Sequence, residues 1–178
     1  EPTNGAGSLR TWNYVGTEGW TDDQAFLRDL LDEVEAENCI DTSRVFLTGF
    51  AVGGVFASIT ACGQTERIAA LATVSGLYSP EGCEPAKPLP VISFHGTGDR
   101  FIPFEGGIGS GPADLGLTPE TIEGLTFMAA REGAMRSSEA WAAHNGCAQG
   151  PGESAVADGV TRQTWSACDD DSAVELYV

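Results

Sequence analysis

The strongest constraint on the fold is a short apolar run that leads into a glycine-rich turn and then into a helical pattern. Residues Val45–Thr48 form a nearly all-apolar stretch, typical of a strand buried on both faces of a parallel sheet. The turn Gly49–Gly54 follows, and Val55–Cys62 has helical spacing. Small residues on both sides of the turn allow a strand to pass into a helix within very few residues. Such a turn holds its central residue, Ala51, in a strained conformation above the sheet.

A turn of this kind often carries a catalytic nucleophile. In the motif G-x-S-x-G the central serine attacks the substrate, and the backbone N–H of the next residue helps to stabilise the resulting oxyanion. Here the central residue is Ala51 and the next residue is Val52. The sequence therefore predicts the geometry of a nucleophile turn without its nucleophile. On these residues alone, an ordinary glycine-rich connection between a strand and a helix is an equally good interpretation.

Strand and helix patterns alternate along the rest of the chain. They predict an α/β fold with a mostly parallel sheet covered by helices on both faces, in one domain over residues 1–178. The predicted segments are a helix from Asp22 to near Asn38, strands at Ile68–Ser75 and Val91–His95, a mainly helical region over 119–145, and final strands at Thr161–Trp165 and Val174–Val178. Residues 148–160 read as a polar loop.

An aspartate follows the third predicted strand in the sequence His95-Gly96-x-x-Asp99. The carboxyl ends of parallel strands meet at one edge of a sheet, so Asp99 is predicted to lie at the same edge as Ala51. That is the place of the acid in a Ser–Asp–His triad, and it favours this role over that of a simple turn former. His95 precedes the acid and is interpreted as structural. His144 is interpreted as a helix-terminal cation that interacts with the helix dipole.

Charge and cysteine content narrow the possible partners and compartment. The chain has 9 Lys and Arg against 26 Asp and Glu, a formal net charge of -17. A surface this acidic repels nucleic-acid phosphates and anionic lipid headgroups, so neither is expected as a partner. The chain has five cysteines and two histidines but no C-x-x-C pair, which argues against a structural zinc site. Five cysteines in a chain of this length indicate an oxidising compartment. We expect no metal and no cofactor.

Several motifs in the same order along the chain resemble one known family. They are Trp12-Asn13, Asp22-Asp23-x-x-Phe26-Leu27, Cys39-Ile40-Asp41-x-x-Arg44-Val45, Thr48-Gly49-Phe50-x-x-Gly53-Gly54, Arg67-Ile68-Ala69-Ala70, His95-Gly96-Thr97-x-Asp99, Pro103-Phe104-x-Gly106-Gly107, Trp141-Ala142-Ala143-x-Asn145-Gly146-Cys147 and Val160-Thr161-Arg162. The sequence is similar to the secreted α/β-hydrolase esterases that include polyhydroxybutyrate depolymerases and feruloyl or acetylxylan esterases.

The resemblance implies an α/β-hydrolase fold, an extracellular location, an ester substrate of small or polymeric kind, and a Ser–Asp–His mechanism without a cofactor. The acid role falls on Asp99 and the oxyanion role on the N–H of Val52, whereas the nucleophile position holds Ala51. The resemblance also implies a disulfide between Cys147 and Cys168. The pairing of Cys39, Cys62 and Cys83 stays open.

The family places its catalytic histidine after the last strand, and an oxyanion loop before the region that corresponds to Glu1. We therefore expect a fragment that is incomplete at both ends and inactive as given. Three interpretations remain: a disabled esterase, a pseudoenzyme or binding module for a polyester or plant-wall polysaccharide, and an unrelated structural domain. In the second, aromatic residues such as Trp12, Trp20 and Phe104 would provide a stacking surface.

Overall fold

The fold is built on one six-stranded sheet. The computed structural model describes residues 11–13, 18–107, 109–120, 122 and 132–178. Its elements are α1 (Asp23–Glu37), β1 (Phe46–Phe50), α2 (Val52–Gly63), β2 (Ala70–Val74), β3 (Val91–Phe94), the short α3 (Gly111–Asp114), α4 (Ala134–His144), β4 (Gln149–Ala157), β5 (Val160–Ser166) and β6 (Val174–Tyr177). No helix among these residues is long and apolar enough to span a bilayer.

The sheet is mostly parallel, as the sequence predicts. Its strand order is β1-β2-β3-β6-β5-β4, with β1, β2, β3 and β6 parallel. Strands β5 and β4 join this set as antiparallel neighbours. The α/β fold class is thus confirmed. Part of the predicted helical region, residues 121 and 123–131, lies outside the described residues.

The described helices that pack on the sheet cover only one of its faces. The main core joins Leu71, Val91, Val174 and Leu176 to side chains of α2 and α4, including the fully buried Trp141. The direction of the crossovers explains this arrangement. The order β1-β2-β3-β6 advances across the sheet in one direction, and right-handed crossovers then place every connection on the same face. A helix on the opposite face would require a connection to a strand that lies in the opposite direction across the sheet.

The opposite face of the sheet exposes large apolar side chains. Phe46 and Phe50 of β1 are 61% and 71% exposed, and Val74 and Phe94 extend the same surface across β2 and β3. The Phe94 ring stacks on Tyr177 of β6 at a centroid distance of 4.9 Å. The expectation that the first strand is buried on both faces is therefore wrong for the described residues. It lies at the sheet edge, and only its Leu47 side packs against the core.

A second difference concerns β4, where the sequence reads as a polar loop. Strand β4 pairs with β5 from Gln149 to Ala157 and forms the other edge of the sheet. Nearly all of its residues are exposed, so no apolar alternation marks it in the sequence. Its pairing with β5, and not its own burial, makes it a strand.

The loop over residues 75–90 is held against α4 by buried hydrogen bonds. Asn145, which is 0% exposed, accepts a hydrogen bond from the Leu89 N–H at 2.9 Å and donates to the Leu89 carbonyl at 2.7 Å. Nearer the start of the loop, Trp141 Nε1 donates to the Tyr78 carbonyl at 2.8 Å. The motif Trp-Ala-Ala-x-Asn thus fixes both ends of the connection between β2 and β3.

His144 takes part in the same attachment. Its Nε2 lies 3.2 Å from Ser79 Oγ, and its ring contacts Trp141 edge-on. Burial lowers the pKa of His144, so the ring is neutral at pH 7. The interpretation as a helix-terminal cation is therefore wrong: desolvation outweighs the attraction of the helix C-terminus.

Two disulfides close loops of similar length. Cys147 pairs with Cys168, as the resemblance implies, and Cys62 pairs with Cys83. Cys39 is free and exposed. The first pair joins the segment after α4 to the segment after β5, and the second ties the end of α2 to the loop over 75–90.

We expect Asn145→Ala to lower the free energy of unfolding by about 2 kcal/mol or more, because it leaves a buried N–H and a buried carbonyl of Leu89 without partners. Urea denaturation measures the change. Asn38→Ala is the matched control: Asn38 is exposed and its side chain bonds only the nearby Val34 carbonyl, so a loss within about 0.5 kcal/mol is expected. Equal losses in the two variants would contradict the role of Asn145.

We expect the pH dependence of stability between pH 7 and pH 5 to report on His144. Its pKa is lowered by folding, so below about pH 6.5 the unfolded chain binds more protons than the folded one. Stability is then lost as the pH falls from the pKa of His144 in the unfolded chain through its lower pKa in the folded chain. The wild type should lose more stability over this range than His144→Gln in matched denaturant titrations, and identical slopes would refute the assignment.

We expect the isolated 178-residue chain to bind the apolar dye 1-anilinonaphthalene-8-sulfonate through its uncovered sheet face. The double substitution Phe46→Thr and Phe50→Thr keeps β propensity but removes apolar area, so dye fluorescence should fall. Leu115→Thr is the control, because Leu115 is 69% exposed but follows the end of α3 and belongs to no strand. An equal fall in the control would show that the dye does not distinguish this face.

Candidate active site

The turn between β1 and α2 has the strained geometry that its sequence predicts. Ala51 is the single residue between the end of β1 and the start of α2, with φ 50° and ψ −124°. Positive φ values are uncommon for residues other than glycine, and they concentrate at functional sites. The turn lies at the carboxyl end of β1, and its residue 51 is an alanine whose methyl group has no chemistry to perform.

Close backbone contacts hold this turn in place. A Cβ atom at Gly49 would overlap the carbonyl oxygen of Gly53, and one at Gly76 would overlap the carbonyl oxygen of Ala51. Ala51 N–H donates to the Val74 carbonyl of β2 at 2.9 Å. The strain at Ala51 is therefore imposed by neighbouring backbone on both sides, and glycine is required where that backbone approaches most closely.

The N–H of Val52 lies at the start of α2, where it can stabilise negative charge. The Ala51 carbonyl accepts hydrogen bonds from Gly54 N at 2.9 Å and Val55 N at 3.2 Å, so the helix begins at the turn itself. The first N–H groups of a helix have no partner within the helix and point along its positive end. Val52 lies directly beside residue 51 at this helix start, and its role as an oxyanion donor stays a prediction.

Trp12 forms one wall next to this helix start. Its ring stacks on Phe56 of α2 at a centroid distance of 4.6 Å and an interplanar angle of 9°. Its Nε1 lies 4.0 Å from the position that a Cβ on Gly53 would take. The indole is partly exposed, so it presents apolar surface close to the turn.

Asp99 is fixed in the loop after β3. Its Oδ1 accepts hydrogen bonds from the N–H groups of Phe101 at 2.8 Å and Ile102 at 2.9 Å. Its Oδ2 lies 3.7 Å from His95 Nε2. The side chain is only 15% exposed: the loop binds Oδ1, and Oδ2 lies beside the buried His95 ring.

These contacts keep Asp99 ionised. Burial raises the pKa of the carboxyl group, but the N–H groups of Ile102 and Phe101, the Ser75 side chain and the nearby His95 ring together lower the pKa below its ordinary value. A carboxylate that is charged and oriented at neutral pH is what the acid of a hydrolase triad requires.

His95 is engaged in the loop and not in the open part of the site. It is 5% exposed, and its Nε2 lies 2.8 Å from the Ile102 carbonyl. A carbonyl only accepts, so this nitrogen carries the proton and donates it. The ring also contacts Phe104 edge-on at 5.7 Å. This geometry fits the structural interpretation and leaves Nε2 unavailable as a base.

The fold brings Ala51, Val52 and Asp99 to one edge of the sheet. Ala51 follows β1 and Asp99 follows β3, with β2 paired between them. Neighbouring strands lie about 4.8 Å apart, so the two ends are separated by about 10 Å, a gap that an imidazole can bridge. Neither histidine of the chain occupies that gap, since His95 bonds Ile102 and His144 faces Ser79. A nucleophile at 51 would need a base from elsewhere.

Sequence reasoning missed Ser75 and Gly76, which directly follow β2. Ser75 has a positive φ of 53°, and Gly76 packs against the turn at Ala51. The sequence could have pointed to them. A strand that pairs between β1 and β3 must end between Ala51 and Asp99, so the residues that follow it lie between those two. Among the described residues, no three His, Cys, Asp or Glu side chains are grouped for a metal ion.

A cavity of about 320 Å³ lies at the other end of α2, lined in part by Arg28, Gln64, Arg67 and Glu84. Helix α2 has 12 residues, a length of about 18 Å, so this cavity is remote from the turn at Ala51. It is not part of the site.

Comparison with known proteins finds similar esterases. Feruloyl esterase B of Piromyces equi is 29% identical over 149 residues, which cover 80% of this chain and 25% of that protein. A probable feruloyl esterase C of Aspergillus clavatus is 34% identical over 96 residues, 51% of this chain and 35% of the relative. A bifunctional acetylxylan esterase/xylanase of Neocallimastix patriciarum is 32% identical over 104 residues, 58% of this chain and 15% of that protein.

The chain therefore spans about a third or less of each of these relatives. The family model described as phospholipase/carboxylesterase matches residues 17–113, more than half of the chain, and includes both the turn at Ala51 and Asp99. The chain belongs to the phospholipase/carboxylesterase family of α/β-hydrolases.

Proposed function

We propose that this protein has the scaffold of a carboxylic-ester hydrolase of the feruloyl or acetylxylan esterase type, and that Ala51 disables it in the form given. The observation that carries the proposal is the strained turn at Ala51 beside the Val52 N–H, with the Asp99 carboxylate at the same sheet edge. Strain of this kind without a reacting group has no benefit of its own, but it suits a nucleophile that must project above a sheet.

The roles in the proposed mechanism follow from the geometry. A serine hydroxyl at position 51 would attack the ester carbonyl, and the Val52 N–H would stabilise the negative charge that develops on the carbonyl oxygen. Asp99 would orient an imidazole base and stabilise its protonated form. The methyl group of Ala51 forms no acyl-enzyme. Loss of the serine nucleophile lowers turnover by a factor on the order of 10⁶.

The substrate class is proposed from the relatives and from the residues around the turn. Those relatives are named as feruloyl and acetylxylan esterases, which points to esters carried on plant-wall polysaccharide. Trp12 supplies partly exposed aromatic surface beside the turn, which suits an aromatic acyl group. A polyester substrate stays a prediction from the resemblance, as does the assignment of residues 1–178 to one partial domain.

We also propose that the protein is secreted. Two disulfides in the described chain fit an oxidising compartment, since such bonds are rare where thiols are kept reduced. The names of the relatives, feruloyl and acetylxylan esterases, are consistent with the same location, because esters of the plant cell wall lie outside the cell.

A second candidate function is binding without cleavage. The observation that favours it is Ala51 itself, because the turn, the Val52 N–H and the Asp99 carboxylate are retained around a residue that cannot react. A protein of this kind would hold an esterified polysaccharide or a polyester at the same sheet edge.

We expect the natural gene product with Ala51 to show no turnover of methyl ferulate or p-nitrophenyl acetate above background. The substitution Ala51→Ser in that product should restore turnover by several orders of magnitude, because it returns the nucleophile to a preformed turn. Release of ferulate or p-nitrophenol gives the rates directly.

The control combines Ala51→Ser with Asp99→Asn, which should remove most of the restored rate. Turnover by the Ala51 form that disappears with Asp99→Asn would contradict the proposed inactivity. Failure of Ala51→Ser to hydrolyse either ester, together with retained binding of feruloylated xylan, would favour the binding function instead.

A further inference from the structure

A serine and a histidine outside the site at Ala51 form a pair of the kind that performs nucleophilic chemistry. Ser79 Oγ lies 3.2 Å from His144 Nε2. Both side chains are half-buried, so a small reagent can reach them. A serine hydroxyl is a weak nucleophile unless an adjacent base takes up its proton, and an imidazole within hydrogen-bond reach is the most frequent base.

The fold holds the two partners in place through Trp141. Tyr78 precedes Ser79, and its carbonyl accepts a hydrogen bond from Trp141 Nε1 at 2.8 Å. The Tyr78 N–H donates to Ser58 Oγ at 3.2 Å, so both backbone groups of Tyr78 are fixed. His144 follows Trp141 by three residues on α4, and the two rings meet edge-on at 5.8 Å. The buried Trp141 side chain thereby positions the serine and the histidine relative to each other.

His144 has the charge state that a general base needs. Burial lowers the pKa of its ring, which is therefore neutral at pH 7. In the tautomer with the proton on Nδ1, Nε2 accepts the hydrogen bond of the Ser79 hydroxyl and can take up its proton. His95, the other histidine of the chain, differs because its Nε2 donates to the Ile102 carbonyl.

The charges around the pair favour an uncharged reaction partner. Glu81 lies two residues after Ser79, and the formal net charge of the chain is -17. Such a field repels anionic donors, nucleoside triphosphates and acyl phosphates among them. An uncharged electrophile meets no such barrier.

We propose that Ser79 is a nucleophile activated by His144, and that it takes up the acyl or phosphoryl group of an uncharged electrophile. With diisopropyl fluorophosphate, Ser79 Oγ forms a bond to phosphorus, the P–F bond breaks and fluoride leaves with the electron pair. His144 Nε2 accepts the hydroxyl proton and then releases it to water. The product is a serine ester, one group per chain, and its formation requires no residue of the site at Ala51.

The experiment is labelling of the 178-residue chain, which carries Ala51, with diisopropyl fluorophosphate at neutral pH, followed by peptide mapping by mass spectrometry. We expect one adduct per chain, on Ser79, and none in Ser79→Ala. His144→Gln should slow the labelling by about 100-fold or more, because a general base contributes roughly 10²–10⁴-fold.

His144→Gln also separates reactivity from folding. The glutamine amide can still form a hydrogen bond with Ser79 but has no basic nitrogen, so the urea midpoint at pH 7 should stay close to that of the wild type. Ser43 is the internal control. It is exposed, and its hydroxyl bonds the Asp41 carboxylate in place of an imidazole, so we expect only background labelling there.

Three results would overturn the proposal: an unlabelled Ser79, labelling of Ser79 no faster than that of Ser43, or an unchanged rate in folded His144→Gln. Should either variant fail to fold, the comparison of Ser79 with Ser43 in the wild-type chain still decides the outcome. The labelling uses the chain without a nucleophile at residue 51, so its result is independent of whether Ala51→Ser restores ester hydrolysis.

Discussion

The structure depends on the close backbone contact around residue 51. The turn from β1 into α2 takes a single residue, and this is possible only because Gly49 and Gly76 leave room for the carbonyl oxygens of Gly53 and Ala51. The same contact orients the first N–H groups of α2 toward the sheet edge and fixes the start of the loop that follows β2. One steric constraint thereby sets the positions of a helix, two strands and a candidate site.

The acid side of the site is held in a different way, by hydrogen bonds and not by steric contact. Two backbone N–H groups of the loop after β3 bind Asp99 Oδ1, and His95 bonds the Ile102 carbonyl within the same loop. Together with burial, these polar contacts determine the charge on the carboxylate. The site thus combines a rigid turn with a polar loop, each of which is complete without the other.

Much of this arrangement could be predicted from the sequence because it depends on local patterns. The glycine spacing around Ala51 and the apolar strands predict the turn and the parallel sheet, and the position of Asp99 after Val91–Phe94 predicts the sheet edge at which it lies. Strand β4 could not be recognised, because its exposed residues carry no alternation. The partner of Cys62 depends on which segments meet in the folded chain, which no local pattern records.

The loop between β2 and β3 is attached near both of its ends and at a point between them. Tyr78 and Leu89 are held by hydrogen bonds from the end of α4, and a disulfide holds Cys83 between them. Residues that make none of these contacts can change in type without altering how the loop leaves β2 or enters β3. Substitutions at such positions would change the surface that this loop presents while the connection beneath it keeps its course.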